Sequence, residues 1–307
     1  MFPAKAIPRP SLTLLTHPEQ DRDYVHFEHA RDAPDLHFDA TADTFSPLNA
    51  WWLADAALLS YWPSGAARKR FQENGLFDDS AFIDQDGTQC YVAWTPGFIV
   101  VAFRGTQPDE RVDIWHDVEF PRRAWDVAGE AVHEGFKEAL DVAWPAVAQR
   151  LEMLPGRPAW FTGHSLGAAL ATLAADRHLL QGGQPAGVYT FGSPLVGDAA
   201  FVAGCNARHA GRSFRYVNHD DAVTNLPPAS LGFGHVEQEK YIDQNGTIGP
   251  GPGRLRVANL LDRSAAHFQN LDEVLSGASL LPGFLIDHTP RRYAVLVWNA
   301  LVAGNSL

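Results

Sequence analysis

The sequence predicts an α/β domain with a mainly parallel central sheet flanked by helices. Three observations predict it. Short apolar or aromatic runs alternate with longer Ala/Leu-rich or Trp-rich runs, the pattern of strands buried between covering helices. The apolar run Pro158 to Thr162 is separated from the helix-forming run Ala168 to Ala175 by five residues alone, Gly163-His164-Ser165-Leu166-Gly167. The 307 residues contain no internal repeat and no linker, so residues 1–307 are expected to form a single domain.

The elements follow in order. Residues 1–45 are mixed and rich in Asp, His and Pro, and are expected to wrap the domain as irregular structure. Leu48 to Trp62 reads as a buried helix, because Trp51, Trp52, Leu53, Ala56, Leu58 and Leu59 leave it little polar face. Asp84-Gln85-Asp86-Gly87 opens like a calcium loop but lacks the closing Glu, so it is read as a turn. Cys90 to Trp94 and Phe98 to Phe103 flank Thr95-Pro96-Gly97, a hairpin signature. Val132 to Leu151 is expected to be helical, ending before Pro155-Gly156. Gly187 to Gly192 and Ser213 to Asn218 read as further strands, and the Gly/Pro-rich residues 246–253 as a loop. The last helix is expected to start near Pro290 and to use Tyr293, Val295, Leu296, Trp298 and Leu301.

Composition narrows the function classes. Hydrophobic residues make up 46% and charged residues 20%, enough apolar material for one large core. The net charge of −12, from 24 basic and 36 acidic residues, argues against nucleic acid or an anionic membrane as partner. Cys90 and Cys205 are far apart and lack metal-ligand spacing; a buried reduced thiol is expected for Cys90, with a long-range disulfide as the alternative. His26-x-x-His29 is joined by no acid cluster, and there is no His-Glu-x-x-His, phosphate loop or Gly-x-Gly-x-x-Gly. Neither a metal nor a cofactor is therefore expected. The first ten residues have no apolar export core, and no run of about 18 uncharged apolar residues exists. These readings favour a cytoplasmic protein.

The chemistry centres on Ser165. Gly-x-Ser-x-Gly between a strand and a helix is the pattern of the nucleophile elbow in the α/β-hydrolase fold. Glycines on either side let strand and helix pass closely, and the serine hydroxyl stands at a helix N-terminus. A serine needs a base to take its proton and an acid to orient that base, in the chain order Ser, Asp/Glu, His. Asp220 and Asp221 follow the strand Ser213 to Asn218. Downstream histidines are His235, His267 and His288; spacing favours His288, at the end of the apolar run Phe284-Leu285-Ile286, while His267 fits a helix face as well.

Four blocks carry a more specific resemblance: Val101-Ala102-Phe103-Arg104-Gly105-Thr106, Val132-His133-Glu134-Gly135-Phe136, Gly163 to Gly167, and Val217-Asn218-x-x-Asp221-x-Val223-x-x-Leu226-Pro227-Pro228. In this order they resemble the class 3, fungal-type lipase family, and Asp287-His288 with Tyr293 resembles its last element. The resemblance implies Ser165 as nucleophile, Asp221 as acid and His288 as base. It implies the backbone N–H groups of Thr106 and Leu166 as oxyanion donors, and residues 107–131 as a lid. Two features depart from the family: Trp115 is displaced within Asp113-Ile114-Trp115-His116-Asp117, and the interval from His288 to Tyr293 is longer. The implied function is a serine hydrolase of carboxylic esters, a lipase or esterase working through an acyl-enzyme on a small ester or lipid, with a transient lipid interface. A phospholipase or galactolipase of the same family, or a catalytically silent binding protein on the same fold, are the other readings.

Overall fold

The computed structural model describes residues 6–7, 24–27, 30, 33–73, 76–106, 120–236, 238–251 and 286–304. Its centre is an eight-stranded sheet. Strands β1 (Asp79–Gln85), β2 (Thr88–Trp94) and β3 (Ile99–Phe103) are joined by two tight turns. The first places Asp86 and Gly87 at φ 48° and 82°, the pair of left-handed residues that matches the twist of a two-residue hairpin. The second is the Thr95-Pro96-Gly97 turn, where the Thr95 hydroxyl accepts from the Gly97 and Phe98 N–H groups at 3.0 Å each. A small hairpin of β4 (Arg122–Ala124) and β5 (Ala131–His133) then leads into helix α3 (Glu134–Glu152).

From there the chain alternates as the sequence predicts. Strand β6 (Ala159–His164) runs into helix α4 (Leu166–Leu180), and β7 (Pro185–Phe191) is followed by helix α5 (Ala199–Arg208). Strand β8 (Ser213–Asn218), β9 (Gln238–Ile242) and the short β10 (Ile248–Gly249) complete the sheet. Its spatial order is β1-β2-β3-β6-β7-β8-β9-β10. Pairs from β3 through β9 are parallel; both edges are antiparallel. The fold is an α/β-hydrolase fold with a mainly parallel sheet.

Side-chain alternation divides the core into two layers. Val100 and Ala102 of β3 face α1 (Pro47–Leu59) and α6 (Pro290–Ala303). Ile99, Val101 and Phe103 face α3 and α4. Helix α1 starts where the sequence signals it: the Ser46 hydroxyl accepts from the Asn49 N–H, and Pro47 occupies the first turn. Its Trp51 packs on Trp298 of α6 with ring centroids 4.6 Å apart. Among the described residues before Pro47, the backbone is irregular apart from a 3-10 turn at Pro34–Leu36. It is tied to α1 through Asp55, which accepts from the Tyr24 hydroxyl and the Phe27 N–H.

Two expected elements are corrected. Val132 and His133 belong to β5, not to the helix, because the His133 N–H bonds the Val196 carbonyl. Helix α3 begins at Glu134, two residues later than expected, and the His133 ring caps it by accepting from the Phe136 N–H. The Gly/Pro-rich loop contains Ile248–Gly249 as a strand paired with Tyr241 and Ile242; residues 252 and 253 lie outside the described residues. Helix α2 (Ser64–Gln72), α5 and strands β1 and β9 were not anticipated. Strand β1 and β9 carry several charged or amide side chains and expose them, which weakens the apolar signal of a strand. Cys90 on β2 and Cys205 on α5 are both buried and are not joined in a disulfide; burial pushes the Cys90 thiol well above its ordinary range. Among the described residues no helix is long and apolar enough to cross a membrane.

Burial of His26 makes stability depend on pH. Neither ring nitrogen has a hydrogen-bond partner, and the ring sits edge-on to Tyr24 and Trp62. Burial first, then the nearby Arg70 charge, lower its pKa to about 3. Below about 6.5 the unfolded chain takes up a proton here that the folded chain refuses, so stability falls as pH drops from 6.5 towards 3. His26 alone should remove about 2 kcal/mol between pH 7 and pH 5. Urea unfolding of wild type and His26→Phe at both pH values checks this: the loss should be smaller in the variant by about that amount, and equal losses would refute it.

Candidate active site

Ser165 occupies the turn between β6 and α4 at φ 60°, ψ −129°. The turn is as tight as the sequence requires. A Cβ at Gly163 would strike the Gly167 carbonyl and approach the Ala168 nitrogen to 2.9 Å; one at Gly167 would strike the Phe103 carbonyl. Side chains at either position would push α4 off the sheet. The Ser165 N–H bonds the Phe191 carbonyl at 3.0 Å, pinning the turn to β7.

Asp221 and His288 arrive from two further loops. Asp221 follows β8 and His288 precedes α6; both are buried, as is Ser165. His288 Nε2 lies 2.8 Å from Ser165 Oγ, and His288 Nδ1 lies 2.8 Å from Asp221 Oδ2. A carboxylate accepts, so Nδ1 carries the proton and Nε2 is left to accept from the serine hydroxyl. Asp221 Oδ2 also accepts from the Tyr293 hydroxyl at 2.6 Å, and Oδ1 from the Val223 N–H at 3.0 Å. Burial and the Asp221 carboxylate hold the Tyr293 pKa well above the ordinary phenol value, so Tyr293 remains a donor. Asp220, one residue earlier, is half-buried: its carboxylate lies 3.6 Å from His219 Nδ1 and its N–H bonds Asp287. His235 bonds the Thr224 carbonyl. His267 lies outside the described residues.

Gly192 was not singled out from the sequence, and Asn218 and Asp287 stood out there only as members of the resembling blocks. Gly192, at φ 61°, lies under the acid–base pair: a Cβ there would sit 2.9 Å from Asp221 Oδ2 and 3.0 Å from His288 Nδ1. The glycine directly after a strand was its only signal. Asn218 donates from Nδ2 to the Asp287 carbonyl at 2.8 Å, and its N–H bonds the Tyr293 oxygen at 2.9 Å. Asp287 in turn accepts from Arg292 and pairs with His219, both at 3.1 Å. None of these pairs is visible as a local pattern.

Thr106 and Leu166 line one recess of about 280 Å³, together with Gln89, Arg104, Gly105 and Leu170. Leu166 is the first residue of α4, so its N–H has no acceptor within the helix. A larger cavity of about 570 Å³ opens at the other end of the sheet, between Leu154, Ala159, His178 and Pro185, far from the serine. Of the segment expected to be a lid, residues 107–119 lie outside the described residues, while Arg122–Ala124 and Ala131 belong to the β4–β5 hairpin. Asp176, Cys205 and His209 are close enough to share an ion. Asp176 is already bonded by Arg208, Trp125 and His209, and the Arg208 charge beside it opposes a cation.

Fold and site thus define an α/β-hydrolase with a buried Ser–His–Asp chain. Residues 100–231 match the family described as Lipase (class 3), the family that the sequence blocks resemble. A secreted mono- and diacylglycerol lipase of Fusarium solani is 37% identical over 155 residues, covering 47% of this chain and 44% of that protein. Secreted mono- and diacylglycerol lipase A of Penicillium cyclopium is 33% identical over 174 residues, covering 54% of each chain. The structure of the triacylglyceride lipase of Rhizomucor miehei superposes with a TM-score of 0.51 at 27% identity, over 64% of this chain and 79% of that one. The chain spans about half the length of the curated relatives it matches. Both relatives are named as secreted, which overturns the expectation of a cytoplasmic protein. That expectation rested on a missing apolar run near residue 1, and a missing run carries no physical information about compartment.

Gly192 offers a test of the geometry. In Gly192→Ala the added methyl group and the left-handed backbone should break the Asp221–His288 bond and cost roughly 1–2 kcal/mol of stability. Proton NMR of the wild type should show a downfield signal from the bonded His288 Nδ1–H. It should vanish or shift in the variant, with a melting temperature lower by a few degrees. An unchanged downfield signal would contradict the packing described.

Proposed function

We propose that this chain is a serine hydrolase of carboxylic esters, a lipase or esterase that cleaves acylglycerol-type lipids and shorter acyl esters through an acyl-enzyme at Ser165. The observation that carries it is the continuous chain Ser165–His288–Asp221, both links at 2.8 Å. The names of the relatives, mono- and diacylglycerol lipases, support the substrate class. His288 Nε2 takes the Ser165 proton as Oγ attacks the ester carbonyl. Asp221 holds the imidazole in the required tautomer and stabilises the imidazolium. The oxyanion is received by the N–H groups of Leu166 and Thr106; losing one such donor costs about 3 kcal/mol of transition-state stabilisation. His288 then gives its proton to the leaving alcohol, and water, deprotonated by His288, releases the acid. We take residues 1–307 as one domain serving this single site.

An organophosphonate probe should add once, at Ser165, and Ser165→Ala should lose both the label and ester hydrolysis. Near wild-type hydrolysis by that variant would end the proposal. Asp221→Asn should lower kcat by roughly 10⁴-fold, while Asp220→Asn changes little and His288→Ala inactivates. A reversal within the two aspartates would show that the acid is wrongly assigned.

Substrate range is tested separately. The stretch Asp109 to Glu119 is acid-rich and the chain carries a net charge of −12, which opposes binding to anionic lipid surfaces. Butyrate and octanoate p-nitrophenyl esters should be cleaved faster than palmitate, and the rate should rise smoothly through the substrate's solubility limit. A sharp jump at that limit, or a clear palmitate preference, would assign an interfacial long-chain lipase instead.

A further inference from the structure

The residue before the nucleophile is a histidine that the mechanism above does not use. His164 is fully buried. Its Nε2 lies 2.6 Å from the backbone carbonyl oxygen of His288, and its Nδ1 lies 2.8 Å from the Tyr61 hydroxyl. A carbonyl only accepts, so the Nε2 position carries the proton. Nδ1 of the neutral ring then accepts from the Tyr61 O–H. The His164 ring is also packed against the base: its centroid is 4.7 Å from that of His288, and 5.7 Å from Tyr293.

Tyr61 makes a second connection. It is buried just after α1, and the Arg104 guanidinium lies over its ring at 5.8 Å. Its hydroxyl occupies the space a side chain at Gly105 would need; a Cβ there would strike both the Tyr61 oxygen and the His164 carbonyl. Gly105 immediately precedes Thr106. One phenol thus touches the turn that carries an oxyanion donor and the histidine that holds the base's own carbonyl.

We infer that Tyr61 and His164 form a buried positioning relay, Tyr61 O–H to His164 to the His288 carbonyl, which fixes the backbone of the general base and its register with the oxyanion turn. Asp221 orients the imidazole through Nδ1; the relay holds the same residue through its main chain. The neutral state of His164 is part of the device. His288 becomes an imidazolium during the reaction, and a second charged ring packed against it would oppose that step. Donation from Tyr61 occupies the one lone pair on His164 that would otherwise take a proton. Both residues act through His288 and touch no reacting atom. The inference rests on the reading of His288 as general base.

The test compares Tyr61→Phe, His164→Leu and His164→Gln with wild type. Active sites are titrated with an organophosphonate, and kcat per titrated site and KM are measured on p-nitrophenyl butyrate. Displacement of a reacting group by about 1 Å costs on the order of 10²-fold in rate. His164→Leu should therefore lose about a hundredfold in kcat and Tyr61→Phe about tenfold, each with KM within about twofold. His164→Gln should recover most of the loss, because its amide nitrogen reaches the place of Nε2 and donates to the same carbonyl. Equal losses in the Leu and Gln variants would overturn the relay. So would unchanged kcat per titrated site with only the titratable fraction reduced, since that is what a merely structural role produces. Should His164→Leu not fold, Tyr61→Phe, which removes a single oxygen, decides the matter. A wild-type protein that takes no label would overturn the hydrolase reading and the relay with it, whereas a labelled wild type with unaltered variants overturns the relay alone.

Discussion

Ser165 sits at a positive φ that a residue with a side chain holds only under constraint, at a cost of roughly 1–3 kcal/mol. The surroundings that supply the constraint also define the site. The Ser165 N–H is bonded to β7 and its carbonyl accepts from Ala168 and Ala169 in α4. Gly163 and Gly167 let α4 lie so close to β3 that no relaxation of the turn is open to it. Relaxing Ser165 would mean moving a buried helix off a buried sheet. The strain is therefore held by two core layers, and the position of Ser165 follows from packing and not from the loop itself.

With Ser165 fixed, the other groups must come to it, and the parallel strands make that geometrically simple. Their carboxyl ends lie along one edge of the sheet, and the loops that leave them converge there. Asp221 comes from the loop after β8 and Gly192 from the end of β7. His288 enters from the approach to α6 and is secured by bonds to the β8 loop: Asn218 to the Asp287 carbonyl, His219 and Arg292 to the Asp287 carboxylate. Burying Asp221 would be costly if either oxygen were left without a donor. Tyr293, His288 and Val223 N–H supply three donors, so both Asp221 oxygens are satisfied and the side chain is immobilised by the same contacts.

What was legible in the sequence follows from how local each signal is. The elbow is five contiguous residues with its glycines at fixed offsets, and its strand and helix carry unmixed apolar patterns. Asp221 was separable from Asp220 only by the spacing of a whole block, because two adjacent acids after a strand look alike locally. His288 was favoured by the apolar run before it, and its role depends on a contact spanning 123 residues. Gly192 and Tyr61 gave no comparable signal, and Asn218 and Asp287 only that of their blocks, since what matters about each is a partner on another element. The misplaced start of α3 has the same origin. Val132 fits a helical pattern along the chain, and a sheet-like bond from His133 to the Val196 carbonyl, invisible in one dimension, decides otherwise.

The match to the class 3 lipase family over residues 100–231 includes Ser165, Asp221 and Thr106, while Tyr61, His288 and Tyr293 lie outside it. The parts outside are not loosely attached. Trp51 of α1 packs on Trp298 of α6, and Thr162, two residues before His164, donates its hydroxyl to the Leu53 carbonyl of α1. Aromatic side chains of this size bury on the order of 150–250 Å² each, so the Trp51–Trp298 contact fastens α1 to α6, and the Thr162 bond fastens α1 to β6. Tyr61 leaves one end of that packed pair and His288 precedes the other. His288 therefore reaches the elbow through the α1–α6 layer, and the hydrophobic core on that face of the sheet is as much a determinant of the candidate site as the motif that announces it.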